Sequence, residues 1–478
     1  MKQPDRRWRV FAVTAVAVFM AFLDVTIVNV AFPSVREDFA SSSLASLSWV
    51  LNAYNIVFAA LLVPAGRLAD LLGRRRMFFW GLGVFVGASA LCGLAPSVEF
   101  LIAARVVQAA GAALLVPTSL GLLLPEFPLE RRASATALWG AVGGIAAATG
   151  PSLGGLLIAW GDWRLVFFVN LILGAAAWVP ARRLLRETRD PDRGAVPDAV
   201  GIALLAGGVG LLSLAIVEAP DWGWGSARVL GAGVVAGVLL AAFVRRSMVV
   251  AHPVLELSLF RVRSFAAACA GAFTFSLGFY AVLLANILFL TGVWGWSTLS
   301  AGVAVTPGPL MAALSSALAG RVIDRYGPRV SAVPGGLLFA LGCVVFAVGL
   351  GPESAYASEF LPATLLTGAG VGLSFAGFSS AAVMELPPAR FATGSAVSNC
   401  FRQLGAVLGI SVLIAVVGAT PVLADFVSAY WLMAACGLTA GLIGVTLGRN
   451  RGTVRAWTSK SAASTTPSSD PVPSAARS

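Results

Sequence analysis

Gly66-Arg67-Leu68-Ala69-Asp70-Leu71-Leu72-Gly73-Arg74-Arg75-Arg76 is a short polar stretch between two long apolar runs. A second stretch in the same setting reads Gly320-Arg321-Val322-Ile323-Asp324-Arg325-Tyr326-Gly327-Pro328-Arg329, and it repeats the spacing of glycine, aspartate and glycine. Glycine permits a tight turn and a close approach of helices, while the aspartate can hold an arginine or cap a helix start. Two copies of one connection indicate two homologous halves, as parallel-repeat transporters have.

The rest of the chain is too apolar for an ordinary soluble protein. It has 478 residues, of which 58% are hydrophobic and only 12% are charged, whereas soluble domains carry about 25% charged residues. Uncharged runs such as 78–97 and 330–351 leave no charged surface to cover a core in water. The composition therefore predicts an all-α integral membrane protein that lies in a lipid bilayer.

The apolar runs are long enough for fourteen membrane spans, because a helix needs about 20 residues to cross the hydrocarbon. Proline and glycine separate the runs. We predict spans at residues 10–33, 47–69, 76–96, 99–124, 133–159, 164–184, 198–218, 228–247, 264–291, 298–322, 329–351, 358–384, 393–418 and 427–448.

The basic residues predict the orientation of these spans. With the N-terminus in the cytoplasm, only three of the 33 Lys and Arg residues fall outside (Arg36, Arg164 and Arg228), and Arg105 and Arg402 lie within spans. The remainder fall on the cytoplasmic side, as the positive-inside rule requires, so both termini are expected in the cytoplasm. Because the net charge of +11 is spread over these short clusters, we expect no nucleic-acid partner. The polar residues 450–478 are expected to form a disordered cytoplasmic tail.

Several competing classes of protein lack their characteristic residues here. Neither Lys2 nor Lys460 follows a glycine, so the phosphate loop of an ATP-driven pump is missing. The single histidine, His252, lies in a predicted loop without clustered catalytic groups, and we expect no enzymatic activity. The five cysteines have no paired spacing, which favours neither disulfides nor a metal site.

Further motifs give the chain a family resemblance. Residues 66–76 resemble the signature loop of the major facilitator superfamily, and residues 23–33 (LDVTIVNVAFP) resemble the first-span signature of its fourteen-span drug/proton antiporter branch. Two departures are Ala109, where the family usually has glycine, and Leu171-Ile172, where it has proline. Further matches to that branch lie at Arg105-Val106-Val107-Gln108, Gly150-Pro151-Ser152-Leu153-Gly154-Gly155, Trp163-Arg164 with Phe168-Val169-Asn170, and Asn399 to Gly405.

The resemblance implies a fold and a function. The fold is two six-helix bundles with two extra central helices, which places the bundles at 1–190 and 251–449 and the extra helices at 191–250. The function is proton-coupled export of small, largely hydrophobic molecules such as drugs, dyes or antibiotics, with the proton gradient in place of a cofactor. The alternative is a proton-coupled importer of a small solute with the same fold. We expect a monomer in the cell membrane, and the excess of arginine over lysine indicates a bacterial source.

Ionised groups inside spans are costly and are therefore candidates for function. Asp24 is the only carboxylate deep in a span, and it serves either in coupling or substrate binding or as a structural hydrogen-bonding group. Arg105 and Gln108 are three residues apart and share a helix face. The resemblance assigns this arginine to proton coupling, and a static ion pair is the alternative. Arg402 is the analogous residue of the second half, so the predicted proton-coupling residues are Asp24, Arg105, Gln108 and Arg402.

Two further groups of residues concern helix movement. Pro151 kinks its helix, and the surrounding small residues allow close, sliding contact. The resemblance links this motif to antiport: Gly150, Pro151, Gly154 and Gly155. The repeated loop is predicted to be a cytoplasmic latch, although fixing the topology is an alternative role for its arginines. The predicted latch residues are Gly66, Asp70, Gly73, Arg74, Arg75 and Asp324.

A drug-binding cavity requires apolar walls with a few polar groups. The candidate lining residues are Phe22, Asn29, Tyr54, Phe58, Phe279, Tyr280, Phe378 and Asn399. Because the two deep arginines outnumber the one deep aspartate, we expect a preference for neutral, anionic or monocationic substrates over dications.

Overall fold

The apolar runs form long helices in the computed structural model, which describes residues 6–128, 132–188, 198–251, 253–386, 390–418 and 421–448. The predicted tail at 450–478 and His252 lie outside the described residues. The helices are α1 (Arg6–Asp38), α2 (Leu44–Leu72), α3 (Arg74–Gly93), α4 (Val98–Leu123), α5 (Arg132–Trp160), α6 (Leu165–Leu184), α7 (Ala199–Trp222), α8 (Ala227–Val249), α9 (Arg263–Gly292), α10 (Thr298–Val305), α11 (Pro307–Tyr326), α12 (Arg329–Gly349), α13 (Leu361–Met384), α14 (Phe391–Val417) and α15 (Leu423–Val445).

The prediction of an all-helical membrane protein is confirmed. Among the described residues, thirteen helical segments are long and apolar enough to cross a bilayer. The predicted span that is not among these thirteen is the fifth, at 133–159, which corresponds to α5. This helix has 29 residues and is about 43 Å long at the usual rise per residue. The tenth span is interrupted between α10 and α11. Pro307 explains the break, because it has no backbone N–H and its ring clashes with the preceding helical turn.

The helices pack as two groups with a hairpin beside them. In the first group α4 packs on α2 and α3, and α1 packs on α5 and α6; in the second, α12 packs on α13 and α15, and α9 packs on α14. The hairpin is formed by α7 and α8. Its open end is closed by Asp198, which accepts hydrogen bonds from the backbone N–H of Gly201 at 3.0 Å and from Arg246 at 2.8 Å.

Helix α7 contacts both groups. The Ser213 hydroxyl is 2.7 Å from the Ser411 hydroxyl of α14, and apolar residues of α7 share a buried cluster with residues of α2 and α14. The cluster includes Leu205 and Val209 of α7 and Ile56 of α2. The first of the two extra helices therefore lies along the line where the two groups meet.

The two ends of the bundle are distinguished by their loops. We call the end with the 66–76 connection the Asp70 side and the opposite end the Trp163 side. Toward the Trp163 side the two groups are joined by hydrogen bonds, including a Ser152–Thr306 hydroxyl pair at 2.5 Å and a bond from Asn52 to Ser411 at 3.1 Å. The Ser34 and Thr298 hydroxyls are 3.4 Å apart in the same region. The two groups are therefore closed against each other on the Trp163 side.

Glycines set the closest helix contacts. A Cβ atom added to Gly336 of α12 would lie 2.6 Å from the backbone nitrogen of Gly441 and 2.7 Å from the carbonyl oxygen of Gly437, both in α15. Lipid provides no hydrophobic force between helices, so such van der Waals contact is the main source of their association. A side chain at this position would push α12 and α15 apart.

We predict that Gly336→Ala lowers the free energy of unfolding by about 1–3 kcal/mol, which is the usual cost of overpacking. Gly349→Ala is the matched control, because Gly349 ends the same helix and has no neighbouring atom within 4 Å of an added Cβ. Denaturant unfolding in detergent micelles measures both variants. Equal stability of the two variants would contradict the role assigned to this contact.

Candidate functional site

The centre of the first helix group contains a buried ion pair. Asp24 of α1 and Arg105 of α4 are almost completely inaccessible, with side-chain exposures of 0% and 1%. Nη1 of Arg105 donates a short hydrogen bond to Oδ2 of Asp24. It also donates to Oε1 of Gln108 at 2.7 Å, and Nε donates to the Val50 carbonyl of α2 at 3.0 Å. The pair therefore links three helices.

Two amide side chains complete the surroundings of Asp24. Nε2 of Gln108 donates to Oδ1 of Asp24 at 2.8 Å, and Nδ2 of Asn170 on α6 approaches the same oxygen at 3.4 Å. Both amides also donate to the Ser89 hydroxyl of α3, at 3.2 Å and 3.0 Å. Ser89 in turn donates to the Phe167 carbonyl at 2.9 Å. One carboxylate is thus tied to four helices of the first group.

This cluster contains both expected and unexpected members. Asp24, Arg105 and Gln108, predicted as proton-coupling residues, come together, and the three-residue spacing of the latter two does place them on one face. Asn170 lies in one of the motifs that resemble the antiporter branch, but no role in the site was predicted for it from the sequence. Nothing in the sequence indicated that Ser89 belongs to this cluster. A single serine in an apolar run such as that of α3 is common, and the partners of Ser89 are distant in sequence.

The fourth predicted coupling residue lies in the other helix group. Arg402 of α14 stands over the Phe375 ring, with Cζ 4.2 Å from the ring centroid, and beside Tyr280 of α9. Arg105 stands over Tyr54 in the same way at 4.0 Å. Tyr54 and Tyr280 are close enough to interact electrostatically. Each of the two deep arginines therefore lies beside a tyrosine, Arg105 beside Tyr54 and Arg402 beside Tyr280.

The remaining cavity candidates have varied surroundings. Phe58 stacks on Tyr54 with ring centroids 5.9 Å apart, and Phe279 packs edge-on against Tyr280 at 5.0 Å. Phe378 is buried against Gly271 of α9, and Phe22 packs near Gly143 of α5.

Several polar atoms near the centre are buried and lack a hydrogen-bond partner among the described residues. They are Asn29 Oδ1, Tyr54 Oη, Asn55 Oδ1, Asn399 Oδ1, Arg402 Nε and Gln403 Oε1. Buried polar groups are usually paired, so these atoms are available to water or to a bound molecule. Asn29 and Asn399, both predicted to line the cavity, are among them.

The antiport motif lies between the two helix groups. A Cβ on Gly154 would lie 2.9 Å from Cγ1 of Ile27 in α1, while a Cβ on Gly155 would lie 3.0 Å from Cα of Leu299 in α10. Gly150 packs against Thr26, and the Pro151 carbonyl faces Gly302. Helix α5 is thus in close contact with α1 on one face and with α10 on another. The link of these residues to antiport stays a prediction.

The predicted latch forms a compact set of contacts on the Asp70 side. Arg74 donates to Asp70 at 2.8 Å and to the Gly121 carbonyl at 3.2 Å. Gly73 has a φ of 107°, a conformation that favours glycine. Gly66 lies near Pro117 of α4. The side chain of Asp324 lies outside the described residues.

Glu187 contacts the predicted latch and was not identified from the sequence. Its carboxylate accepts hydrogen bonds from the backbone N–H groups of Arg75 at 3.0 Å and Arg76 at 3.2 Å. These groups begin α3, where the helix dipole favours a negative charge. Arg75 also donates from its side chain to the Arg182 carbonyl at 3.2 Å. The end of α6 is therefore fastened to the start of α3.

Known proteins share this architecture. The chain matches the family model described as Major Facilitator Superfamily over residues 14–410 and 268–472. It is 34% identical over 407 residues to the "Multidrug resistance protein Stp" of Mycobacterium tuberculosis, which covers 85% of this chain and 75% of that protein. It is 35% identical over 420 residues to the "Probable actinorhodin transporter" of Streptomyces coelicolor, with coverages of 85% and 72%. A crystal structure of the peptide transporter POT has a TM-score of 0.67 at 15% identity, covering 93% of this chain and 94% of that chain, and shows the same fold.

We predict that Asp24→Asn lowers the free energy of unfolding by about 3–5 kcal/mol, because it leaves the buried Arg105 without its anionic partner. The double variant Asp24→Asn, Arg105→Gln removes both charges and should be more stable than the single variant. Asp38→Asn is the control, since its half-exposed pair with Arg164 is worth less than about 1 kcal/mol. Unfolding in detergent micelles measures all three. A double variant that is no more stable than Asp24→Asn would contradict the coupling.

We predict that Glu187→Ala speeds amide hydrogen exchange of Arg75 and Arg76 about two- to fivefold, as expected for loss of an exposed anion at a helix start. Exchange of these amides, followed by mass spectrometry, measures the effect. Glu353→Ala removes an exposed carboxylate elsewhere and should leave them unchanged. Unaltered protection in Glu187→Ala would show that this carboxylate does not hold the start of α3.

Proposed function

This chain belongs to the major facilitator superfamily, and on that basis we propose that it is a proton-coupled exporter of small, largely hydrophobic molecules that works by alternating access. The proposal includes a cell-membrane location, cytoplasmic termini, action as a monomer, and the proton gradient as the source of energy. The Asp70 side is then the cytoplasmic side.

The observation that carries the proposal is the buried ion pair of Asp24 and Arg105. A proton taken up by Asp24 removes the negative charge that faces Arg105. An uncompensated buried guanidinium costs several kcal/mol, so protonation favours a rearrangement that gives Arg105 new surroundings. Because the hydrogen bonds of the pair reach α1, α2 and α4, this rearrangement is expected to move whole helices.

The contacts between the two helix groups support alternating access. The two helix groups are closed against each other on the Trp163 side by glycine contacts and a few hydroxyl pairs, such as Ser152 with Thr306. Interfaces of this kind can separate at small cost because they leave few buried charges unpaired. Opening of this side, together with rearrangement of the latch around Asp70 and Glu187, would expose the cavity to the opposite face.

The walls of the cavity support a drug-like substrate. The candidate residues include the aromatic rings of Tyr54, Phe58 and Phe279. They also include polar atoms, Asn29 Oδ1 and Asn399 Oδ1, that have no partner among the described residues. Such pockets bind apolar molecules and use the polar groups for orientation. The relatives named as a multidrug resistance protein and an actinorhodin transporter support export as the direction.

Everted membrane vesicles test the proposal with a panel of neutral, anionic and monocationic fluorescent dyes. We expect energised vesicles to accumulate at least one dye and to release it when an uncoupler is added. Asp24→Asn should abolish uphill accumulation and retain exchange of the dye down its own gradient, because only the energetic coupling is lost. Asp24→Glu, which keeps a carboxyl group, should restore part of the accumulation.

The control is Asp221→Asn, which changes an exposed aspartate at the end of α7 and should transport normally. Accumulation that persists in Asp24→Asn, or that ignores the uncoupler, would refute proton coupling through this residue. Energy-dependent loss of dye from everted vesicles would instead identify an importer.

A further inference from the structure

Arg402 differs from Arg105 in having no carboxylate partner among the described residues. Arg105 is neutralised by Asp24 and makes two further hydrogen bonds. The contacts of Arg402 are the Phe375 ring, at 4.2 Å from Cζ to the centroid, and Tyr280. Its Nε is buried and has no acceptor among the described residues. Since arginine stays charged in proteins, the second helix group presents an unneutralised cation.

The sequence of the second group offers no acid at the depth of Arg402. Arg402 lies eleven residues after the start of α14, which is about 17 Å along the helix. The acidic residues between the start of α9 and the end of α15 lie in loops or in the first or last turns of helices: Asp324, Glu353, Glu359, Glu385 and Asp425. No rotamer change of these side chains could bring a carboxylate to the middle of α14.

The surroundings of Arg402 suit an anionic group on an aromatic molecule. Asn399 lies three residues earlier on the same helix face, and its amide oxygen has no partner among the described residues, so the amide is free to turn its N–H outward. The Tyr280 side chain also lies beside Arg402. Phe279 and Phe375 form an apolar wall with ring centroids 5.4 Å apart. A planar guanidinium binds a carboxylate through two parallel hydrogen bonds, and low polarity strengthens them.

We propose that Arg402, together with Tyr280 and Asn399, binds the carboxylate of an aromatic substrate. The inference rests on the proposed function, which it narrows to aromatic organic acids as the preferred substrate class. The bound carboxylate supplies a negative charge that neutralises Arg402, as the carboxylate of Asp24 neutralises Arg105. Arg105 stands over Tyr54, and Tyr54 is within electrostatic range of Tyr280, so the inference places the substrate site near the proton site.

The test is binding of two matched fluorescent probes to the purified full chain in detergent. Dansylglycine carries a carboxylate, and dansylglycinamide is its neutral amide. We expect the wild type to bind dansylglycine at least about tenfold more tightly, the usual value of hydrogen bonds to a charged group. Arg402→Gln should lose at least about tenfold in affinity for dansylglycine and keep its affinity for the amide. Arg402→Lys should retain part of the preference.

Arg228→Gln makes the same side-chain change at the start of α8, far from the cavity, and should leave both affinities unchanged. Equal affinities of the wild type for the two probes, or an equal loss of both in Arg402→Gln with the preference also absent in Arg402→Lys, would overturn the inference. The vesicle experiment separates this outcome from failure of the proposed function. Dye export that continues despite absent carboxylate preference refutes only the role of Arg402, whereas absent export in all dyes refutes the exporter itself.

Discussion

The buried pairing of Asp24 with Arg105 constrains the rest of the structure. Through Gln108, Asn170 and Ser89 it ties α1, α3, α4 and α6 together, and through the Val50 carbonyl it holds α2. Separating the two buried charges would cost several kcal/mol. The first helix group therefore has a definite centre, and anything that changes the charge of Asp24 acts on five helices at once.

The second group is organised differently around its own arginine. Its helices approach one another through glycine, as Gly336 does against α15, while aromatic rings fill the space around Arg402. Packing of this kind holds the helices of the second group together without an ion pair. The two halves therefore differ in charge: the first holds an ion pair, whereas the arginine of the second has no carboxylate partner among the described residues.

Much of the fold followed from the sequence, because span length and loop charge are local properties. The break at Pro307 was missed, since a proline near the edge of a long apolar run does not by itself show whether the helix bends or stops. Asp24, Arg105 and Gln108 were found because charged and amide groups are rare inside spans. Ser89, Glu187 and the Tyr54–Tyr280 approach were not found, because each depends on contacts between helices that are distant in sequence.

The position of α7 has a consequence for how molecules reach the cavity. In a bundle of two halves, the cavity has two lateral margins, and α7 covers the one where α2 meets α14, with the Ser213–Ser411 contact at its middle. The other margin, between α5 and the α10–α11 segment, is closed by direct helix contacts and has no further helix outside it among the described residues. Under the proposed function, a compound that enters from the acyl chains would meet the extra hairpin on one margin only.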